Sequence, residues 1–465
     1  MAITLGNKQL SNLFYFVVAY ILILIGYAAN RGLFFSQTQV WFLILAWLFL
    51  VLPFFKKQLL TFRLNLDLLN LLLLVVGFTF CLSLFFDEAM YFSSRQAFSN
   101  VFLLKSLALI LFLFYFIDFK FLSKNFFSLV LLHLWKNKFI YLLIIAFLLR
   151  LLIIFYSPAP QIDVFWFLDG GAKALVAGHN PYSEVFFNPY TADQGKQLYG
   201  DANFQNDNYS YLPTTIFLTT ISKLFFGDVR FIYLFAVFGT AAIIYFLVRR
   251  KFGQPAEIAE LLSLLILYAP LSLFVLEQAW SEPLSIFLLA LFVLAVSLNW
   301  RYLPYLIFGS FLGVKQVSLV FLAFLCRFEF INPKKYLLSI VTMLAIILPF
   351  LAWDCRNFIN DTIVHHVLFQ PPLHSLTLNT LSRILFYQDI PAVIYLPLLL
   401  GLFLFLFFKT KRDLSGIIHS SLVFLFALFL IKQGFANYYY SIIGGLIILM
   451  ALELGQPDLN YENQK

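Results

Sequence analysis

An aspartate in a polar stretch between two long apolar runs is the first candidate for chemistry. Asp163 follows the apolar run that ends near residue 157, with aromatic residues at helical spacing behind it. This pattern predicts an amphipathic helix from about 163 to 177 on a membrane surface, with Asp163 at its N-cap. There the carboxylate could act as a general base, although residue type alone favours a simple cap. Asp169 and Lys173, four residues apart, are predicted to form a surface ion pair.

Three basic residues are candidates for binding an anion such as phosphate. Lys315 and Lys432 stand at the ends of apolar runs, and Arg356 follows the end of another. A charge within an apolar run is a functional candidate because lipid makes it costly. A structural explanation is equally open, since long basic side chains also extend toward lipid headgroups from such positions.

The residue spacings indicate neither a metal site nor a disulfide framework. His365 and His366 are adjacent, with Asp361 nearby, but adjacent histidines in a loop are more often surface residues than metal ligands. A divalent metal is conceivable, but no cofactor is predicted. The three cysteines are far apart in the sequence and form no CxxC pair.

The elements that carry these residues are transmembrane helices. The chain is 62% hydrophobic and 12% charged, with a mean hydropathy of +0.89, whereas soluble domains carry about 25% charged residues. Apolar runs of about 20 residues, the length that crosses the hydrocarbon layer, recur along the chain. The prediction is an all-α polytopic membrane protein with about 12 to 14 membrane segments.

Clusters of Lys and Arg orient these helices. The net charge of +8 reflects basic residues in short loops between apolar runs, which the positive-inside rule assigns to the cytoplasm rather than to a nucleic-acid partner. The predicted cytoplasmic groups are Lys56, Lys57 and Arg63; Lys120 and Lys124; Lys136 and Lys138; Arg249, Arg250 and Lys251; Lys334 and Lys335; and Lys409, Lys411 and Arg412. The predicted spans lie near 11–30, 38–55, 67–86, 99–118, 139–157, 231–248, 336–352, 391–408, 415–432 and 438–453. Residues 157–211 then lie outside.

Two apolar segments do not fit this alternation as single spans. Residues 212–226 would reverse the charge rule if they crossed, so they are predicted to lie in the outer interface or to dip partway into it. Residues 302–326 contain Gly309, Gly313 and Lys315, which favours a broken hairpin with Lys315 near its outer tip.

The order of several short motifs resembles a known enzyme family. After Asp163 and its helix come residues 178–182 (GHNPY) and 209–213 (YSYLP), and then 277–282 (EQAWSE), 313–316 (GVKQ), 349–354 (PFLAWD) and 432–439 (KQGFANYY). This series is similar to that of the polytopic glycosyltransferases of the GT-C fold, especially the bacterial branch that uses polyprenyl-phosphate mannose. The resemblance covers about residues 139–452.

The resemblance implies a GT-C-like helix bundle with juxtamembrane helices in its first large outer loop. The implied domains are extra N-terminal helices at 1–125, a catalytic membrane domain at 126–455 with outer loops at 158–228 and 353–390, and a cytoplasmic tail at 456–465. Two departures stand out. About four spans precede the family core, and residues 211–213 (YLP) replace the Lys-Pro-Pro motif of related transferases.

The implied activity is hexosyl transfer, with mannose as the expected sugar. The sugar would pass from a polyprenyl-phosphate donor to a lipid-linked or other envelope glycan, with inversion, on the outer side of the bacterial cytoplasmic membrane. Asp163 would be the base, and Lys315, Lys432 and Arg356 would bind the donor phosphate. The substrate-binding residues would be His179, Asn180, Tyr182, Tyr209, Tyr211, Glu277, Gln278 and Glu282.

Two other classes of function remain open from the sequence. A transporter or lipid flippase also has many helices, broken segments and buried charges, but it usually shows paired repeats, which this sequence lacks. A non-catalytic membrane scaffold is the other alternative, and it predicts no effect of the Asp163→Asn substitution on phenotype or stability.

The topology leads to a labelling prediction. Lys196→Cys in the outer loop should react with a membrane-impermeant thiol reagent in intact cells, whereas Lys251→Cys should react only after the cells are permeabilised. The reverse pattern would reject the topology and, with it, the outward-facing site.

Overall fold

The computed structural model describes residues 7–29, 34–55, 68–87, 89–117, 126–191, 193–195, 208–328, 332–364 and 375–455. Every regular element within these ranges is helical. Several features of the sequence lie outside the described residues, namely Lys56, Lys57, Arg63, Lys120, Lys124, Lys196, His365, His366 and the tail 456–465.

Six helices precede the first large loop. They are α1 (Asn7–Ala28), α2 (Gln37–Val51), α3 (Leu68–Phe86), α4 (Arg95–Leu113), α5 (Phe126–Lys136) and α6 (Lys138–Tyr156). The beginning of α4 is capped by Ser94, whose hydroxyl accepts a hydrogen bond from the Ala97 N–H.

The loop and the centre of the chain contribute six further helices. They are α7 (Asp163–Val176), α8 (Pro213–Phe226), α9 (Phe231–Phe246), α10 (Ala256–Leu267), α11 (Ser272–Glu277) and α12 (Glu282–Ser297). The predicted helix over 163–177 is thus present as α7. Helices α8 and α12 each have proline within their first two residues, where a missing N–H costs no helical hydrogen bond.

The last eight helices complete the bundle. They are α13 (Leu303–Leu312), α14 (Leu319–Phe328), α15 (Pro333–Trp353), α16 (Cys355–Ile359), α17 (Leu378–Phe386), α18 (Ala392–Lys409), α19 (Leu414–Ile431) and α20 (Ala436–Glu453). The predicted interruption at Lys315 is present between α13 and α14.

Among the described residues, nine helices are long and apolar enough to cross a membrane. Shorter apolar helices occupy 12–28, 282–297, 303–312 and 316–328. The chain is therefore a multi-pass membrane protein of the all-α class. The total of 12 to 14 segments stays a prediction, because it requires most of the shorter helices to cross as well.

The first two helices are joined to later parts of the chain by polar contacts. Asn12 Nδ2 donates to Glu453 Oε2 at 3.2 Å, the Tyr27 hydroxyl to the Pro270 carbonyl at 2.7 Å, and Trp47 Nε1 to the Val423 carbonyl at 3.0 Å. Hydrogen bonds inside an apolar bundle fix the relative positions of helices because the alternative is an unsatisfied polar group. The domain boundary at 125 stays a prediction.

Helix α8 begins on the break between α13 and α14. The Thr214 N–H donates to the Gly313 carbonyl at 2.9 Å, and the Thr215 hydroxyl donates to the Val314 carbonyl at 2.9 Å. The opposite face of α8 is apolar and exposed, with Phe217, Ile221, Leu224 and Phe225 on it. This amphipathic form matches the predicted interfacial position, and α8 is absent from the described helices that could span.

The charged groups separate toward the two ends of the bundle. Arg230, at the start of α9, donates to the Ser157 carbonyl, so Arg249–Lys251 at the far end of that helix lie away from the first large loop. Lys335 near the start of α15 and Asp354 after its end are separated in the same way. The arrangement agrees with the predicted sidedness, while the assignment of one face to the cytoplasm stays a prediction.

Helices α13 and α15 pack closely at Gly309, which leads to a stability prediction. A Cβ atom at Gly309 would lie 2.6 Å from the Ser339 carbonyl oxygen and 2.6 Å from Thr342 Cβ. Gly309→Ala should therefore push these helices apart and lower the free energy of unfolding by about 1–3 kcal/mol.

The matched control is Gly401→Ala in α18, where a Cβ would meet nothing within 4 Å. This change should be neutral or stabilising by up to about 1 kcal/mol, because alanine is the better helix former. Thermal unfolding of the purified variants measures both effects. An equal melting temperature for the two would contradict the close packing.

Candidate functional site

Asp163 is a buried carboxylate at the beginning of α7. The N-cap position is Ile162, so the prediction that Asp163 is the N-cap was wrong by one residue. Asp163 is 3% exposed, and its Oδ1 accepts a hydrogen bond from the adjacent Val164 N–H at 2.8 Å. Its charge acts on Tyr91. Burial, followed by the charges of Glu277 and Asp163, raises the pKa of the Tyr91 phenol to about 12.

Tyr211 connects Asp163 to a second charged centre. Burial raises the pKa of the Tyr211 phenol well above its ordinary value, and the negative charges of Glu282 and Asp163 add to the effect. The Tyr211 ring also lies under Lys315, whose Nζ is 5.2 Å from the ring centroid. One aromatic side chain is therefore in electrostatic range of both the predicted base and a buried lysine.

The second centre is a buried ion pair. Lys315 Nζ lies 2.6 Å from Glu282 Oε1, and Asn437 Nδ2 donates to the same oxygen at 2.8 Å. The Tyr438 ring centroid is 4.6 Å from Lys315 Nζ, so two aromatic faces support the cation. Within the described residues, Glu282 Oε2 and Asn437 Oδ1 are buried acceptors with no hydrogen-bond partner, which leaves acceptor capacity beside the lysine.

A third buried carboxylate, Glu277, accepts hydrogen bonds from backbone amides. It is 0% exposed, and it accepts hydrogen bonds from the N–H groups of Met90 at 2.6 Å and Tyr91 at 2.9 Å. Gln278 Nε2 is 3.3 Å from its Oε2. Glu277 thus binds the segment between α3 and α4, and the role of Glu277 and Gln278 as substrate ligands stays a prediction.

The tyrosines of the first outer loop form a buried aromatic wall. The Tyr182 hydroxyl donates to the Tyr211 carbonyl at 2.8 Å, and its ring makes an edge contact with Tyr209. Asn180 shapes the turn before it, since its Oδ1 accepts from the Tyr182 N–H at 3.1 Å. His179 is exposed and pairs with Glu184 at 3.3 Å. The structure therefore packs Tyr182 and Tyr209 together with Tyr211, which is within electrostatic range of Asp163, and leaves His179 exposed.

Asp169 forms the predicted ion pair with Lys173 at 2.7 Å, but its carboxylate is buried, so the prediction of a surface pair was wrong for Asp169. The same carboxylate also pairs with Lys223 of α8 at 2.6 Å, a contact that was not predicted. This second pair joins α7 to α8 and accounts for Asp169 without any role in catalysis.

Hydrogen bonds join the two loops that are predicted to lie outside. Asp354 Oδ2 accepts a hydrogen bond from the Ser183 hydroxyl at 2.8 Å. Hydrogen bonds from the Asn357 N–H and then from Ser183 lower the pKa of the Asp354 carboxyl. Gln316, next to Lys315, donates to the carbonyls of Ser210 at 2.9 Å and Thr362 at 2.8 Å, one in each loop.

The other two predicted phosphate ligands lie at the end of α19 and in α16. Lys432 is half-buried at the C-cap of α19, and burial lowers the pKa of its ammonium group. Arg356 is exposed in α16. The ion-pair partner of Lys315 is Glu282. The approach of Lys315 to Lys432 stays a prediction.

A cavity of about 40 Å³ opens beside the ion pair. Its polar end is formed by Glu282, Lys315 and Tyr438, and its walls come from α12, α13, α14, α19 and α20. These walls carry apolar side chains, namely Ile286, Leu289, Phe311, Phe321, Leu422 and Phe429. The cavity therefore combines one charged end with a hydrocarbon lining.

Several site residues were not predicted from the sequence. Arg230 is fully buried and donates to the carbonyls of Ser157 at 2.8 Å and Ile154 at 3.0 Å, which fixes the start of the first large loop. The sequence signal that could have pointed to Arg230 is its position as a basic residue at the end of an apolar run. Asn437 and Tyr91 carried no such signal, because an amide and a phenol are common at membrane interfaces.

In the described part of the chain, no group of three or more His, Cys, Asp or Glu side chains is placed to hold a metal ion. The pair His365 and His366 lies outside the described residues.

Comparison of the chain with protein-family models, with curated proteins and with solved structures found no significant match. The resemblance to GT-C glycosyltransferases thus stays a prediction based on the order of the motifs.

The buried ion pair leads to a prediction about stability. Glu282→Gln or Lys315→Met should each lower the free energy of unfolding by about 3–5 kcal/mol, because each leaves a buried charge without its counter-charge. The double variant should lose clearly less than the sum of the two single losses.

Asp389→Asn serves as the control, because it disrupts an exposed pair with Arg383 and should cost no more than about 1 kcal/mol. Denaturant unfolding in detergent measures all four variants. Strict additivity of the two buried substitutions would contradict a coupled pair.

Proposed function

We propose that this protein is a membrane glycosyltransferase of the polyprenyl-phosphate-dependent type. It moves a hexose, with mannose as the expected sugar, to a lipid-linked or other envelope glycan on the outer side of the bacterial cytoplasmic membrane. The proposal rests on one observation: the Tyr211 ring lies 5.2 Å from the buried cation Lys315, which lines a mostly apolar cavity, and Tyr211 is within electrostatic range of the buried carboxylate Asp163.

The reaction needs a base and a cation at neighbouring positions. The acceptor hydroxyl oxygen attacks the anomeric carbon, and the bond from that carbon to the phosphate oxygen breaks. The hydroxyl proton passes to Asp163, and the bonding electrons leave with the polyprenyl phosphate. A carboxylate suits the first role, and a lysine that stabilises developing negative charge suits the second.

The contacts of Lys315 support a phosphate-binding role. Its ammonium group lies against Glu282 Oε1, and Asn437 donates to that same oxygen. A bound phosphate can therefore compete for Lys315 while Asn437 continues to stabilise the Glu282 carboxylate. Tyr211 and Tyr438 hold the ammonium group between their rings, which fixes its position before the donor arrives.

The lining of the cavity supports a lipid-linked donor. An isoprenoid chain is apolar, and most side chains that line the cavity, such as Ile286, Phe311 and Phe429, are apolar as well. In the described part of the chain, α15 and α18 present mostly exposed apolar surface, as expected for helices that face lipid.

The joined outer loops support an acceptor that arrives from water. Ser183 is hydrogen-bonded to Asp354, and Gln316, next to Lys315, is hydrogen-bonded to both loops. Loops joined in this way beside Lys315 would limit access of water to the anomeric carbon, which favours transfer to a hydroxyl over hydrolysis.

Substitution of the proposed base gives a direct test. Asp163→Asn should fold and bind donor, but its rate of transfer should fall at least about 100-fold, because a general base contributes about 10²–10⁴ in rate. The measurement is turnover of a synthetic polyprenyl-phosphate mannose by the purified protein in lipid nanodiscs.

The control is Asp193→Asn, the same chemical change at an exposed position of the same outer loop. It should leave turnover unchanged. An Asp163→Asn variant that turns over within about threefold of the parent would remove Asp163 as the base, and the search would move to Glu277, Glu282 or Asp354.

In cells, mass spectrometry of lipid-linked glycans with and without the gene tests the class of function. Loss of a transferase should leave accumulated donor and a truncated glycan. Accumulation of a complete lipid-linked glycan would instead indicate a flippase.

A further inference from the structure

Glu282 and Asn437 meet inside the bundle as a carboxyl group and a primary amide. Asn437 Nδ2 donates to Glu282 Oε1 at 2.8 Å, and both side chains are buried. Each side chain has a second buried oxygen, Glu282 Oε2 and Asn437 Oδ1, with no hydrogen-bond partner among the described residues. Both of these oxygens are acceptors, so neither can satisfy the other while Glu282 is ionised.

A proton on Glu282 supplies the donor that this pair lacks. A protonated carboxyl group carries one O–H donor and keeps acceptor capacity on its other oxygen. With the proton on Oε2, the O–H group can donate to Asn437 Oδ1 while Asn437 Nδ2 still donates to Oε1. Buried acceptors without a donor are unfavourable, so this two-way pairing stabilises the protonated form of Glu282.

Lys315 provides the opposing influence, which keeps Glu282 ionised in the empty site. Its Nζ lies 2.6 Å from Glu282 Oε1, the oxygen that Asn437 also binds. A buried carboxylate needs a counter-charge, and the Asn437 amide is neutral and cannot supply one. A ligand that draws Lys315 into its own ion pair therefore leaves Glu282 as a buried charge, unless Glu282 takes up a proton.

The other titratable groups in electrostatic range of Glu282 are phenols. They are Tyr211 of the first large loop, Tyr233 of α9, and Tyr438 and Tyr440 of α20. Phenols and ammonium groups ordinarily titrate near about pH 10, so they are already protonated at neutral pH. The carboxylate is thus the group of this centre that can accept a proton.

We propose that a phosphate ester binds Lys315 together with one proton, which Glu282 takes up and shares with Asn437. This inference rests on the proposed function and assigns the charge state of its donor site. In the empty site, the charges of Lys315 and Glu282 cancel. With a singly charged phosphate diester on Lys315, they cancel again only when Glu282 is protonated, and a net charge in apolar surroundings is costly.

The charge balance also gives the site a preference among phosphate esters. A polyprenyl-phosphate sugar is a diester with one negative charge, whereas the polyprenyl phosphate that leaves is a monoester with a charge of about −1.5 to −2 at neutral pH. The second charge has no counter-charge at Lys315. The site therefore favours the donor over the product, and Glu282 returns its proton to water when the product leaves.

The test measures proton uptake during binding, with the full-length protein in nanodiscs and farnesyl-phosphate mannose without acceptor. Titration calorimetry in buffers of different ionisation enthalpy should show close to one proton taken up per donor bound, at about neutral pH. Because the complex holds the extra proton, the affinity should fall as the pH rises, by up to about tenfold per pH unit. Infrared difference spectra should show the carbonyl band of a new protonated carboxyl group. No uptake at any pH from about 6 to 8 would overturn the inference.

Glu282→Gln imitates the protonated state, because an amide is neutral and retains a donor. It should bind the donor without proton uptake and without the infrared band. Since the variant leaves Lys315 without its counter-charge, the donor should raise its melting temperature more than that of the parent. The calorimetry and spectra of the parent need no substitution, so they decide the question even if this variant is too unstable to purify.

Two further variants identify the group that takes up the proton. Glu453→Gln changes a buried carboxylate at the far end of α20 whose oxygens already accept hydrogen bonds from Ser415 at 2.6 Å and Asn12 at 3.2 Å. Asp163→Asn removes the other carboxylate in electrostatic range of Tyr211. Both variants should keep the uptake of the parent. Uptake that is lost in Asp163→Asn and kept in Glu282→Gln would overturn the assignment to Glu282.

The binding measurement distinguishes this inference from the proposed function, because it involves no transfer of sugar. If the donor binds with proton uptake but loss of the gene leaves the lipid-linked glycans unchanged, the transferase function fails and the proton-linked phosphate site stands. If sugar is transferred but the donor binds without proton uptake, the inference fails and the function stands. A protein that does not bind the donor would reject both.

Discussion

The cost of placing charge in an apolar bundle governs the centre of this structure. Lys315 and Glu282 are both buried, and each is tolerated only because the other lies 2.6 Å away. The pair fixes the break between α13 and α14 against the start of α12, and Asn437 adds α20 to the same point. Four helices therefore meet where two charges neutralise each other. The aromatic rings and the cavity of the candidate site are arranged around that meeting point.

The same constraint explains the other interrupted segment. Arg150 lies in the middle of α6, fully buried, and donates to the Leu267 carbonyl at 2.7 Å and to the Ser272 hydroxyl at 3.2 Å. These acceptors are the last residue of α10 and the first residue of α11, so the guanidinium bridges the gap between two short helices. Non-helical backbone within an apolar bundle needs such partners for its free amides and carbonyls. Here Arg150 of α6 supplies a partner for the Leu267 carbonyl, and the carboxylate of Asp87, the residue after α3, accepts the N–H groups of Leu273 and Phe274.

The helices around the site differ in how much of their surface is buried. Helices α19 and α20 are mostly buried, whereas α15 and α18 are mostly exposed through apolar side chains. The buried helices carry polar residues such as Asn437 and Tyr438 into the site. The exposed helices leave a hydrocarbon surface, along which the lipid-linked donor of the proposed reaction would approach from the bilayer. The polar residues of the site thus lie on buried helices, whereas the apolar outer surface lies on the exposed ones.

The sequence by itself determined the class of structure and much of its segmentation. Long apolar runs predict membrane helices because unsatisfied backbone groups cannot enter lipid. Gly313 and Lys315 predicted the break between α13 and α14, and Pro213 with a short apolar run predicted a separate helix α8. The pairing of Asp169 with Lys173 followed from their four-residue spacing. Each of these features depends on residues that are close together in the chain.

Only the tertiary structure decided which distant polar groups meet. Glu282 and Lys315 are 33 residues apart, and Glu277 and Met90 are 187 residues apart. No local pattern records such contacts, because periodicity reports which face of a helix is apolar and not which helix lies against it. The partner of Lys315 and the bridge made by Arg150 both depend on how the helices pack. For this reason the sequence indicated the candidate base, and the packing supplied its surroundings.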